Sequence, residues 1–184
     1  MFRRYAKWSQ VWPILLPSCV GILVGYGVLS AMDNFMARRS IGWIILLMLG
    51  LQIVRTYQQA FLKRLPDSTW FRWVSGWVIG VSTMLANAAG PVYAIYALVH
   101  QMPKERFLGI GARCFLLINV IKLPFMTDLQ IIHSHSLLLD LTLLPGIFAG
   151  IYLGKRLIDR IPQKAFECLL YLFSAVAGVR LLMT

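Results

Sequence analysis

Five consecutive residues, Asn87-Ala88-Ala89-Gly90-Pro91, interrupt the middle of an apolar run that covers residues 70–100. Proline removes a backbone donor and clashes with the carbonyl four residues earlier, and glycine permits a turn, so a continuous helix through this pentapeptide is disfavoured. A helix restarting at Gly90-Pro91 leaves the amides of Val92 and Tyr93 free, and proline costs nothing in a first turn whose donors have no intrahelical acceptor. Free amides at the positive end of a helix dipole bind anions without a fixed charge. Ser82, Thr83 and Asn87, just upstream, add neutral donors. The available chemistry is reversible binding of an anion that must also leave, with Ser82, Thr83, Asn87, Gly90, Pro91 and Val92 as candidate contacts.

Further along, Arg113 lies about two turns inside an apolar segment, and intramembrane charges usually face a cavity or a partner. It reads equally as an anion ligand or as the partner of Asp140 or of a helix C-terminus. Asn119 and Lys122, three residues apart, share one helical face near the outer boundary, where Lys122 either contacts the ligand or snorkels to the interface. Ser82 and Thr83 have the alternative of bonding back to a carbonyl of their own helix, and Asn87 that of an interhelical packing bond. His133-Ser134-His135 has no further ligands beside it, so no metal site and no cofactor is read. Cys19, Cys114 and Cys168 sit singly in apolar stretches as packing residues. Without HExxH, GxSxG, Walker A or paired intramembrane aspartates, the chain does not read as an enzyme.

The elements that must position these residues are transmembrane helices. The chain is 59% apolar and 14% charged, with a mean hydropathy of +0.70, outside the range of soluble domains of its size. Its net charge of +11 is spread in short runs between apolar segments, a topology signal rather than the clustered footprint of a nucleic-acid binder. Besides residues 70–100, five segments are long enough to cross a bilayer: 11–30, 35–57, 107–125, 136–154 and 165–183. Boundary signals fall at Asp33-Asn34, Leu65-Pro66-Asp67-Ser68, Met102-Pro103-Lys104, Pro124 and Ile161-Pro162. The basic, apolar start reads as a retained first span rather than a cleaved signal, because no small-residue cleavage site follows. One all-α polytopic membrane domain accounts for residues 1–184. Gly21-xxx-Gly25, Gly76-xxx-Gly80 and Gly146-xxx-Gly150-xxx-Gly154 are read as packing seams.

Charge decides between a single kinked crossing of residues 70–100 and a hairpin. A single crossing divides the basic residues nine against eight, Arg113 aside, and gives no orientation. If the segment turns at Asn87 to Pro91 and returns, thirteen stand on the N-terminal side against Arg38, Arg39, Lys122 and Arg180, a clear positive-inside bias. The expected topology is therefore five transmembrane helices plus one broken, re-entrant hairpin, with the N-terminus in the cytoplasm. Residues 15–25 also resemble residues 143–154, each copy followed by a helix with a late glycine, Gly50 or Gly178, and then Arg55 or Arg180. In this topology the copies are inverted, a common symmetry of secondary transporters. By that symmetry residues 1–66 are the remnant of a first repeat lacking its front, and residues 67–184 are the second.

From Ser82-Thr83-Met84-Leu85-Ala86-Asn87-Ala88-Ala89-Gly90-Pro91, through Met102-Pro103-Lys104-Glu105-Arg106-Phe107, to Asn119-Val120-Ile121-Lys122-Leu123-Pro124-Phe125, the chain resembles the second half of the sulfite exporter TauE/SafE (TSUP) family. The resemblance implies a two-halved inner-membrane transporter of sulfite, organosulfonates or other small sulfur-containing anions. Two departures stand out: the glycine-rich broken segment and helix that open the family's first half are missing, and Arg113 stands where an uncharged residue is expected. A homo-oligomer or a separately encoded first half would supply the missing part. The alternative expectation is a truncated or half-subunit protein that transports only with a partner.

Overall fold

The computed structural model describes residues 8–62, 68–132, 141–150, 152–153 and 163–183, and every regular element among them is helical. The elements are α1 (Trp8–Ser30), α2 (Asn34–Tyr57), α3 (Gln59–Leu62), α4 (Thr69–Ala86), α5 (Gly90–Val99), α6 (Lys104–Asp128), α7 (Leu141–Gly150) and α8 (Gln163–Met183). By length and composition, Trp8–Ser30, Asn34–Tyr57 and Arg106–Asp128 can cross a membrane, and Gly90–Val99, Leu141–Gly150 and Tyr171–Met183 are shorter apolar helices. His133, His135, Asp140 and the Ile161-Pro162 boundary lie outside the described residues.

Two polar boundary residues act as helix caps. Asp33 accepts the Met36 amide at 2.7 Å at the start of α2, and Ser68 accepts the Phe71 amide at 3.1 Å at the start of α4. Each satisfies one of the donors that a helix N-terminus leaves without a partner. Pro124, read from sequence as a boundary, proves to be internal to α6, which continues to Asp128. Proline removes one backbone bond, whereas ending the helix there would expose several polar groups at membrane depth.

α1 and α4 pack in parallel along their glycine seams. A Cβ added at Gly80 would stand 2.8 Å from the Gly21 Cα, and one at Gly25 would stand 2.8 Å from the Met84 Cβ. Small residues let the backbones approach where apolar burial alone gives no drive for association in lipid. Ser18 strengthens the seam by donating both to Ile14 O at 2.7 Å and across to Gly76 O at 2.9 Å. The third seam behaves differently: Gly146 and Gly150 meet no neighbour within 4 Å among the described residues. α7 is exposed along its whole length.

α6 runs in the same direction as α1. The Arg113 guanidinium lies 5.0 Å from the Trp8 ring centroid at one end, and at the other Tyr26 packs on Phe125 and its hydroxyl donates to the Asp128 carboxylate. α5 runs against α4, because Phe71 at the start of α4 stands 6.4 Å from Tyr96 and 6.1 Å from His100 at the end of α5, ring centroid to centroid. One kinked helix over this stretch would hold Phe71 and His100 on the order of 40 Å apart. The break thus folds the chain back on itself. Buried Ile14, Ile22, Ile79, Met84, Tyr93, Ile110, Cys114 and Ile118 form one core between α1, α4, α5 and α6.

α2 and α8 pair antiparallel at the side of this core. Gly178 packs on Leu46 and Gly42, and the Thr56 and Tyr171 hydroxyls share a hydrogen bond of 2.9 Å. Gly50, its expected counterpart, has open space around it. Of the three cysteines read as packing residues, Cys114 is buried in the core and Cys19 half-buried, while Cys168 is exposed.

Candidate functional site

The turn at the break is made by Asn87. Its φ of 52° and ψ of 32° place it in the left-handed region, which asparagine tolerates better than most residues. Its amide donates to Thr83 O at 3.1 Å and the Ala88 amide to Ser82 O at 3.2 Å, closing the C-terminus of α4. Gly90, expected to supply the turn, has no positive φ and opens α5 instead. The open donors also shift by position. The Tyr93 amide donates to Ala89 O at 3.1 Å, so it is not free as the sequence reading has it. Ala89 provides no side-chain cap, and the first-turn amides of Gly90 and Val92 precede the first intrahelical bond. The Val92 side chain itself is buried in the core.

Three of the sequence-selected residues meet at the end of α4. Lys122 Nζ donates to Asn87 Oδ1 at 2.7 Å, and Thr83 Oγ1 reaches the same oxygen at 3.4 Å. Asn87 is exposed there, and Lys122 half-buried. The ammonium meets α4 at its C-terminal cap, three residues before the uncapped start of α5, and a lysine carries three donors. Ser82 takes the self-satisfied alternative, donating to Ile79 O at 3.2 Å from a buried position. Asn119 is exposed on α6, one turn from Lys122.

Arg113 is not brought to the break. It packs over Trp8, and its nine-residue separation from Lys122 is about two and a half turns, which sets the two on opposite faces of α6.

What positions the start of α5 is the side chain of Tyr93, a residue whose amide alone figures in the sequence reading. Its hydroxyl donates to Phe107 O at 2.8 Å, and its ring packs against Phe107 at 5.1 Å and Phe115 at 5.3 Å between centroids. Gly111 makes room for it, since a Cβ there would stand 2.8 Å from the ring. The returning half-helix is thereby pinned to α6.

On the other flank of the break, Ala88, Gly90, Pro91 and Ala94 line an open cavity of about 650 Å³ whose other walls are α2, Phe107 and α8. Its polar lining consists of Gln52, Arg55 and Ser174. From sequence, Arg55 is a basic residue at a segment end and the counterpart of Arg180 in the repeat. The signal that could have found it is the spacing Ile45, Met48, Gln52, Arg55, a single helical stripe ending in two polar residues. Among the described residues, no cluster of three or more potential metal ligands occurs.

A bundle of apolar helices, with a broken hairpin opening on a cavity beside its core, is the architecture of a multi-pass membrane protein. The chain belongs to the sulfite exporter TauE/SafE family, whose sequence model matches residues 1–181. It is also 26% identical, over 97% of its own length and 73% of the relative's, to a protein of Comamonas testosteroni described as the probable inner membrane transporter protein TsaS. No solved structure matches the chain.

Proposed function

We propose that this protein moves a small sulfur-containing anion, sulfite or an organosulfonate, across the inner membrane by alternating access around the Asn87 to Pro91 break. The observation that carries this reading is the uncapped start of α5, which follows the Lys122–Asn87 pair by three residues. The first-turn amides of Gly90 and Val92 hold the anion's oxygens, while Lys122, Asn87 and Thr83 complete the shell and Asn119 lines its approach. Pro91 fixes the backbone of that turn, and Ser82, through its carbonyl bond to Ala88, holds the turn's other side. A lysine that already shares an acceptor can swing to the anion and back, which suits a ligand that must be released.

The proposed topology is a re-entrant hairpin with the N-terminus in the cytoplasm. It is supported by the side-by-side ends of α4 and α5 and by the positive-inside count. The antiparallel pairing of α2 with α8 is the relation that two inverted copies would give.

The test is flux into proteoliposomes containing the purified chain, with radiolabelled sulfite and benzenesulfonate as substrates. Saturable uptake that falls at least about tenfold in Lys122→Gln, the loss of one charge-assisted contact, is the expected result. Uptake no faster than in protein-free vesicles for both anions would contradict the reading.

A further inference from the structure

We propose that the cavity between α2, α5 and α8 is an amphipathic anion pocket in which Arg55 grips the charged end of an organic anion and the apolar remainder holds its body. This rests on the transport reading of the break, because Gly90 and Pro91 line the same cavity. Three observations carry it.

The first is Arg55 itself. Its Nε is buried and has no hydrogen-bond partner, and it lines the cavity at the end of α2. A guanidinium is a planar fork of donors with no acceptor, so an unmatched buried N–H of this kind calls for an oxygen anion. Gln52, one turn earlier, and Ser174 on α8 add neutral donors.

The second is the polarity of the stripe. Ile45, Met48 and Leu49 precede Gln52 and Arg55 on α2, while Phe173 and Ala177 face them from α8. From Ile45 to Arg55 the helix advances about 15 Å. The pocket therefore has a cationic end and an apolar length.

The third is size. The open cleft of about 650 Å³ is of the size of small-molecule sites, roughly 300–1,000 Å³, and it far exceeds what an inorganic oxyanion fills. A ligand with both a sulfonate or carboxylate head and an apolar body uses the whole space.

A basic residue in the last turn of α2 also complements that helix's dipole. That role needs only a positive charge, and lysine would fill it, whereas a bidentate grip on an oxyanion needs the guanidinium. An anionic lipid presents the same head-and-body chemistry from a second source.

The experiment is titration calorimetry on the full chain in detergent, with benzenesulfonate, sulfate and phosphatidylglycerol as probes. Benzenesulfonate is expected to bind at least about tenfold more tightly than sulfate. Arg55→Gln is expected to weaken benzenesulfonate about ten- to a hundredfold, with Arg55→Lys also weakened, while both variants keep the parent's thermal unfolding temperature. Ile45→Trp, filling the apolar length, is expected to lower benzenesulfonate affinity more than sulfate affinity. Parent-like benzenesulfonate binding by Arg55→Gln would overturn the proposal. So would equal affinity for sulfate and benzenesulfonate, or an Arg55-dependent heat from phosphatidylglycerol alone. Failure of the transport reading shows separately, as absent flux by the unaltered protein.

Discussion

At the scale of single residues, Asn87 holds two jobs that substitution separates. It caps α4 in a left-handed conformation, and it accepts the Lys122 ammonium. Asn87→Gly keeps the turn and removes the acceptor, so its thermal unfolding is expected close to the parent's while anion uptake falls. Asn87→Ala loses the acceptor and adds the left-handed strain of about 1 kcal/mol, so melting and uptake both drop. If the two variants melted and transported alike, the capping role would be absent. Gly90→Ala probes the amide face differently. No atom lies within 4 Å of the added methyl, so the chain is expected to fold and melt as the parent does, with weakened uptake because the methyl enters the cavity.

The residue scale is also where sequence reading reached least evenly. Asn87 was legible because an amide side chain three residues before Gly-Pro in an apolar run has few ordinary explanations. Arg55 was not, because a charge at a segment end already has a topological explanation and nothing in one sequence shows what α8 brings to it. Arg113 drew attention for its depth, yet the face it occupies could be read only by counting turns from Lys122.

At the scale of elements, the α1–α4 seam and the α4–α5 hairpin set the position of the site. Gly80→Ala is expected to lower stability by about 1–3 kcal/mol, because the methyl runs into the backbone of α1. Gly50→Ala, with open space around it, is expected to leave thermal unfolding unchanged. The hairpin makes a sharper prediction. Cysteines placed at Phe71 and His100, whose rings are 6.1 Å apart, should be joined by a short bifunctional crosslinker within one chain; no intrachain product would restore the kinked helix. The seams of α1 and α4 were legible from glycine spacing alone, since two GxxxG pairs on separate segments are complementary. Pro124 misled for a physical reason: the rule that proline ends helices weighs water as the alternative partner, and lipid offers none.

For the molecule as a whole, composition and charge placement disclosed a multi-pass membrane protein, because both report on the solvent and need no contacts. The hairpin was legible at this scale too, because only a returning segment gives the basic residues a positive-inside bias. Hidden from sequence was the partition of the break into two flanks, Lys122–Asn87 on one and the Arg55 cavity on the other, which arises only when α2, α6 and α8 assemble around α5. Transport by this route requires the anion to sit at the break. In a chain with Cys19, Cys114 and Cys168 replaced, the labelling rate of Ala88→Cys by a small thiol reagent measures that directly, with Gly27→Cys on the exposed face of α1 as reference. Saturating benzenesulfonate is predicted to slow labelling at position 88 several-fold and to leave position 27 unchanged; equal rates at position 88 with and without the anion would contradict the account.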